Sequence, residues 1–178
     1  MICCERVGVK KSIHSNHDNK FEIIHQEQRG DTLEIVSTNR ELFFPFGQCT
    51  TPSELLLRYP FVLTAQYKSR DDKNIFLYTL GHNRLRFILT EDEFDDNSKM
   101  MIVDAKIIDH KLKIRDDIYV GMSKDELVNI LCGSICKEQI DKINSITLIS
   151  GVSGIWYYYT LIDGKLVSVM IKTDYSID

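Results

Sequence analysis

The sequence has no apolar run approaching the roughly 18 residues that cross a bilayer as a helix. Nor does any apolar stretch behind Met1 read as a secretory leader, so at face value the chain is cytoplasmic. It has no basic excess. Its 22 Lys and Arg face 26 Asp and Glu, a net charge of -4, which argues against nucleic acid as partner because phosphate binding wants a cationic surface. Cysteine is sparse and odd in number. Cys3, Cys4, Cys49, Cys132 and Cys136 spell no disulfide framework. Cys132 and Cys136 stand one helical turn apart, unlike the Cys-x-x-Cys of redox and zinc sites.

Signatures of chemistry are equally scarce. Glu91-Asp92-Glu93-Phe94-Asp95-Asp96-Asn97 carries five carboxylates but lacks the alternating Asp spacing and the glycine of an EF-hand, so it reads as a solvated linker. His14-x-x-His17, with Cys3-Cys4, matches no zinc motif and belongs to a polar tail. No metal or cofactor is expected. Ser150-Gly151-Val152-Ser153-Gly154 lacks the Gly-x-Ser-x-Gly of a nucleophile elbow, has no lysine, and precedes a strand instead of a helix. The one nucleophile worth weighing is Cys49, just before a helix start, with His82 or His110 as base. It defines the alternative reading, a small cysteine-dependent hydrolase or transferase.

What the 178 residues do contain suits one large or two small domains with a proper core, at 43% hydrophobic and 27% charged. After a tail over 1–20, Phe21 to Ile24 and Thr32 to Ser37 read as strands around Gln28-Arg29-Gly30-Asp31. Leu42-Phe43-Phe44-Pro45-Phe46-Gly47 reads as a core plug. Thr51-Pro52-Ser53-Glu54 and Ser123-Lys124-Asp125-Glu126 are both helix starts with a capping residue and a Glu three positions on. The second helix presents Leu127, Ile130 and Leu131 on one face. Each helix is followed by strands. Phe61 to Lys68, Ile75 to Leu80 and Arg84 to Leu89 follow the first. Ser145 to Ile149 and the two runs around Asp163-Gly164 follow the second, after a short extra helix over Lys137 to Ile143. Lys99 to Ile108 and Lys111 to Ile114 link the two sets. The expected organisation is a tail (1–20), a first α+β unit with the N-terminal strands (21–97) and a second α+β unit (98–178).

The two hairpins echo each other: Tyr78-Thr79-Leu80 before Arg84-Leu85 repeats Tyr159-Thr160-Leu161 before Lys165-Leu166. A two-residue turn fixes which side chains share a face. With Asp163-Gly164 at the turn, Tyr157, Tyr159 and Leu161 share the core face. The other face pairs Tyr158 with Val169, Thr160 with Val167 and Trp156 with Ile171. With His82-Asn83 at the turn, Leu80 faces Leu85 and Tyr78 faces Phe87 under the helix. Thr79, Arg86, Leu77, Ile88 and Ile75 face away from it. Trp156, Tyr158, Val167 and Val169, with Leu77 and Arg86, are therefore the candidate protein-binding residues, because rigid aromatics on a free sheet face are typical binding anchors. The competing expectation is that Trp156 packs inside the molecule.

Two tandem units of capped helix and antiparallel strands, over residues 43–173, resemble the β-lactamase-inhibitor-protein-like fold. The motif Gly121-Met122-Ser123-Lys124-Asp125-Glu126-Leu127 resembles the small outer-membrane assembly lipoproteins that share the half-unit. The chain departs from them at Leu131-Cys132-Gly133-Ser134, where they carry Leu-Gly-x-Pro. The fold expected is thus α+β, tandem helix-plus-antiparallel-sheet units of this type with an N-terminal β-hairpin. The resemblance implies an exported, periplasmic or envelope-associated bacterial protein that binds proteins and does not catalyse. If a leader has been removed, Cys3 or Cys4 is where a lipid anchor attaches.

Overall fold

The structure, a computed structural model, describes residues 21–69, 71–92, 95–115, 118–132, 135, 137–151 and 154–175, with side chains for all of these except 91, 92 and 95–97. The tail over 1–20, with Cys3, Cys4, His14 and His17, lies outside the described residues.

The fold is α+β. A hairpin of β1 (Ile23–Arg29) and β2 (Thr32–Ser37) opens the chain, and a 3-10 turn (Arg40–Phe43) leads to α1 (Pro52–Arg58). Then come β3 (Val62–Lys68), β4 (Asn74–Leu80), β5 (Asn83–Asp92) and β6 (Asp95–Ile107). A small ladder of β7 (Lys113–Ile114) and β8 (Ile118–Tyr119) precedes α2 (Lys124–Cys132), and α3 (Lys137–Asp141) follows it. β9 (Ser145–Ser150), β10 (Ile155–Ile162) and β11 (Lys165–Thr173) complete the chain. Nine strands make one sheet in the order β1-β2-β9-β10-β11-β6-β5-β4-β3. Every pairing is antiparallel except β2 with β9. The N-terminal hairpin, next to the first helix in sequence, thus lies beside β9 in space. Along β2, Leu33, Ile35 and Ser37 point into the core while Thr32, Glu34 and Val36 are only half-buried. That alternation suits a strand with one face on the core.

Both helix starts behave as their residues dictate. Thr51 Oγ1 accepts the Glu54 N–H at 3.1 Å, while the Glu54 carboxylate reaches one residue further back than a capping box does, to the Thr50 N–H at 2.8 Å. At α2 the box is reciprocal: Ser123 Oγ accepts the Glu126 N–H at 3.2 Å, and Glu126 accepts the Ser123 N–H at 2.9 Å. Helix α2 buries Leu127, Val128 and Leu131, with Ile130 only half-buried. These join Leu55 of α1, the plug residues Leu42, Phe43 and Phe46, and the inward side chains of the sheet in one hydrophobic core. Burying each large apolar side chain contributes about 1.5–3 kcal/mol before entropy is counted. The plug is fixed by the Tyr157 hydroxyl, which donates to the Leu42 carbonyl, and by Phe46, set edge-on to Tyr59 at 5.3 Å and Phe61 at 5.5 Å.

Register differs from the sequence expectation in both hairpins. Asp163 (φ 51) and Gly164 (φ 71) form the turn of the second, and Leu161 pairs with Leu166 as expected. Beyond that a bulge intervenes: Thr160 pairs with Ser168, Tyr159 with Val169, Tyr158 with Met170 and Trp156 with Lys172. One extra residue, Val167, is absorbed in β11, and everything after it changes face. The bulge sits where the loop before α2 docks on β11, the Gly121 N–H donating to the Leu166 carbonyl and the Leu166 N–H to the Met122 carbonyl. In the first hairpin the turn is Gly81-His82, not His82-Asn83, and Leu80 pairs with Asn83. Gly81 takes the positive φ, +59°, that the turn needs. Asn83 is buried as a strand residue, and its Oδ1 accepts the Ile108 and Asp109 N–H groups, each at 2.9 Å. The slip is two residues in the pairing sum, so each side chain keeps its expected face.

Candidate functional site

Alternation carries the outward side chains of all nine strands into rows across the sheet. One row runs His25, Val36, Ile149, Trp156, Lys172, Asp104, Arg86, Leu77 and Ala65, each paired with the next. The next runs Glu27, Glu34, Thr147, Tyr158, Met170, Lys106, Arg84, Thr79 and Val62. The buried side chains of α1 and α2 join the inward-facing cluster, on the opposite side of the sheet.

The six sequence-predicted residues divide as follows. Trp156 and Tyr158 both lie on the outward face, Trp156 half-buried and Tyr158 38% exposed. Leu77 and Arg86 are direct cross-strand partners in the same row as Trp156, because β11 joins β6 and makes the two hairpins one surface. Val169 is corrected: it is fully buried, paired with Tyr159 on the core side, because the bulge flips it inward. Val167 is the half-buried bulge residue, without a cross-strand partner in this hairpin. Ile75 and Ile88, expected on the free face, are cross-strand partners and both buried, so that corner is closed.

The sequence reading missed Met170, Lys172, Lys106, Arg84 and Asp104, which fill the centre of the face. Met170 takes the place given to Val169, opposite Tyr158, and is 39% exposed. The bulge left no signal in the sequence, because Leu166, Val167, Val169, Met170 and Ile171 are all apolar; it shows only in the burial, where Leu166, Val169 and Ile171 are spaced three and then two.

Electrostatics separates the face into zones. Glu27 and Glu34 stand opposite each other at the β1–β2 end, and Arg29 donates to the Glu27 carboxylate at 2.8 Å, which holds that carboxyl below its usual range. The centre is cationic. Arg86 is ion-paired with Asp104, and the hydrogen bond it donates to that carboxylate, with a smaller contribution from Tyr67, raises the guanidinium pKa. Arg84, Lys106 and Lys172 make no ion pair among the described residues. These groups, with Met170, Thr173 and Tyr175, border a trough of about 340 Å³. A larger cleft of about 470 Å³ lies off this face, lined by Glu22, Thr38, Asn39, Arg40, Glu41 and Arg115. Its polar groups largely satisfy one another, Arg115 pairing with Glu41 at 3.0 Å and Asn39 capping the Glu41 N–H, which leaves less there for a ligand to engage.

Cys49 is 1% exposed, and burial raises its thiol pKa. The charges acting on it are those of Arg58 and Glu54, and no histidine contributes. A buried, protonated thiol is a poor nucleophile. Burial likewise pushes Cys132 up to about 12. No group of His, Cys, Asp and Glu among the described residues is arranged to hold a metal ion, and no described helix is long and apolar enough to cross a membrane.

The class these observations define is an α+β protein whose described residues form a nine-stranded, mostly antiparallel sheet, three short helices and an N-terminal hairpin. Compared with family models, with curated proteins and with solved structures, the chain matches none.

Proposed function

We propose that the chain is a non-catalytic protein-binding module that captures its partner on the outward face of the sheet, around Trp156 and Tyr158. The finer architecture belongs to the same proposal: two tandem helix-plus-sheet units of the β-lactamase-inhibitor-protein-like type, with an exported or envelope-associated setting supported by the resemblance of 121–127. The observation that carries the reading is the row arrangement. Tyr158 and Met170, 38% and 39% exposed, pair directly, with Trp156 in the neighbouring row. An exposed aromatic on a rigid strand pair offers contact area at small entropic cost, and the flexible thioether beside it adapts to the shape of a partner. The cysteine-hydrolase alternative draws no support from a thiol buried as Cys49 is.

The test is site-specific photo-cross-linking in the native host. A photoreactive side chain at Tyr158 gives an adduct of one discrete mass, and Trp156→Ala in the same chain removes it. The same group at Leu57, an exposed residue of α1, gives none. Adducts of equal yield from both positions, or none from Tyr158, overturn the reading.

A further inference from the structure

The cationic centre of the outward face has no explanation in the fold. Arg84 and Lys106 are direct cross-strand partners, and like charges placed directly opposite destabilise a sheet. In the neighbouring row, Lys172, Asp104 and Arg86, the carboxylate relieves Arg86 and leaves Lys172 without an ion pair among the described residues. The Arg84–Lys106 pair has Met170 on one side and Thr79 on the other, so no carboxylate stands next to it in its row. Both side chains are exposed and form no ion pair among the described residues, in a chain whose net charge is -4. An unrelieved pair of this kind in an acidic protein marks a place where an anion is brought from outside.

Resting on the protein-binding reading above, we infer that the trough between β11, β6 and β5 receives an acidic polypeptide segment of the partner, its carboxylates on Arg84, Lys106 and Lys172 and an aromatic or aliphatic side chain against Met170 at the trough's edge and its cross-strand partner Tyr158 just outside it. The geometry suits an extended chain. Neighbouring strands stand about 4.8 Å apart, so Tyr158, Met170, Lys106 and Arg84 in one row present an apolar pair and then a cationic pair over about 15 Å. Asp104 keeps Arg86 fixed on the row beside them and sets the side of the trough. A small inorganic anion satisfies the cations but leaves Tyr158 and Met170 in water, which is why a polypeptide with both features fits best. The charges steer the encounter and the apolar pair slows its release.

The test titrates the full chain with a short labelled peptide that alternates glutamate and tyrosine, followed by fluorescence anisotropy. Three competitors run beside it: the same peptide with glutamine for glutamate, inorganic phosphate, and phosphatidylglycerol vesicles. The expected result is saturable binding that weakens about tenfold or more in R84Q/K106Q and as salt rises from low to about 0.3 M. The glutamine peptide and phosphate fail to compete. The thermal midpoint of R84Q/K106Q stays level or rises, because the substitution removes a repulsion; a merely structural pair lowers it instead. Equal binding by R84Q/K106Q, or capture of vesicles without capture of the peptide, overturns the inference. So does salt-dependent self-association that R84Q/K106Q abolishes while the peptide stays free, because it makes the chain's own acidic run, 91–96, the occupant. None of these results touches the Tyr158 cross-link, so failure of the acidic segment and failure of the protein-binding reading remain separate outcomes.

Discussion

The hairpins β4–β5 and β10–β11 share the spacing of Tyr, Thr and Leu before a two-residue turn, yet each departs from the register expected of its sequence in its own way. In β4–β5 the turn moves one residue toward the N-terminus, to Gly81-His82, and every pair shifts. No side chain changes face, because the sum of paired numbers changes by two. In β10–β11 the turn is where the sequence places it, but a single bulge at Val167 sends Val169 into the core and Met170 out to Tyr158. Parity, more than register, decides what a sheet shows to solvent. An error in the position of a turn was harmless, and one extra residue past a correct turn rewrote the candidate surface.

The sharpest way to break this comparison is to put a charge at the two positions the bulge exchanged. Val169→Lys is expected to cost roughly 4 kcal/mol or more, enough to unfold an ordinary domain, because an unpaired ammonium enters the core. Met170→Lys, one residue on, is expected to cost about 1 kcal/mol or less, the repulsion of a lysine set directly opposite Lys106. Urea denaturation of the pair checks both, and equal losses sink the bulge assignment.

Deleting Val167 comes next in size. The pairs on either side, Leu161–Leu166 and Thr160–Ser168, then become consecutive with faces unchanged, so the deletion is expected to cost about 2 kcal/mol, mostly at the docking of the loop before α2. Deleting Leu77 from unbulged β4 turns Phe76 and Ile75 to the wrong faces and is expected to leave no folded protein. Circular dichroism melts of the two deletions distinguish them.

The buried tyrosines sharpen the comparison further. Tyr157 donates to the Leu42 carbonyl, so Tyr157→Phe is expected to cost about 1–3 kcal/mol by orphaning that acceptor. Tyr78, in the other hairpin, is fully buried and its hydroxyl has no partner among the described residues. Burial pushes its pKa up to about 12. Tyr78→Phe is expected to stabilise by about 1 kcal/mol, since it removes a polar atom that burial stripped of water. Opposite signs in chemical denaturation confirm that the two hairpins spend the same residue differently.

Smallest is the acid response of the helix starts. Hydrogen bonds from Thr50 hold the Glu54 carboxyl below its usual value, and those from Ser123 do so for Glu126. A depressed folded-state pKa contributes stability above the unfolded value of about 4.5 and loses it as pH falls through the folded value. Glu54→Gln/Glu126→Gln is therefore expected to flatten the loss of stability below pH ~4.5 and to leave the rest of the profile parallel to the parent. An unchanged acid limb removes the carboxylates from the capping account.

Much of this was legible in the residues. Thr51, Ser123, Glu54 and Glu126 announced the helix starts because capping depends on neighbours three positions apart. Asp163-Gly164 announced its turn because both positions need a positive φ that those residues tolerate. Leu42 and Phe46 read as a plug because so many large apolar groups rarely stay in water. Asn83 was misread as a turn residue because its burial depends on accepting two backbone N–H groups from Ile108 and Asp109, distant in sequence.

What the sequence determined by itself is therefore local: the α+β class, the helix starts, the strand runs and the alternation that separates Tyr157 and Tyr159 from Trp156 and Tyr158. Only the tertiary structure decided that β2 runs parallel beside β9, that β11 joins β6, and that Val169 turns inward. Each of these depends on which strand edges meet, and a strand edge offers the same N–H and C=O groups whatever its side chains are. The joining of β11 to β6 is what sets Arg84 and Lys106 beside Met170 and Tyr158, and so makes one candidate surface out of two hairpins.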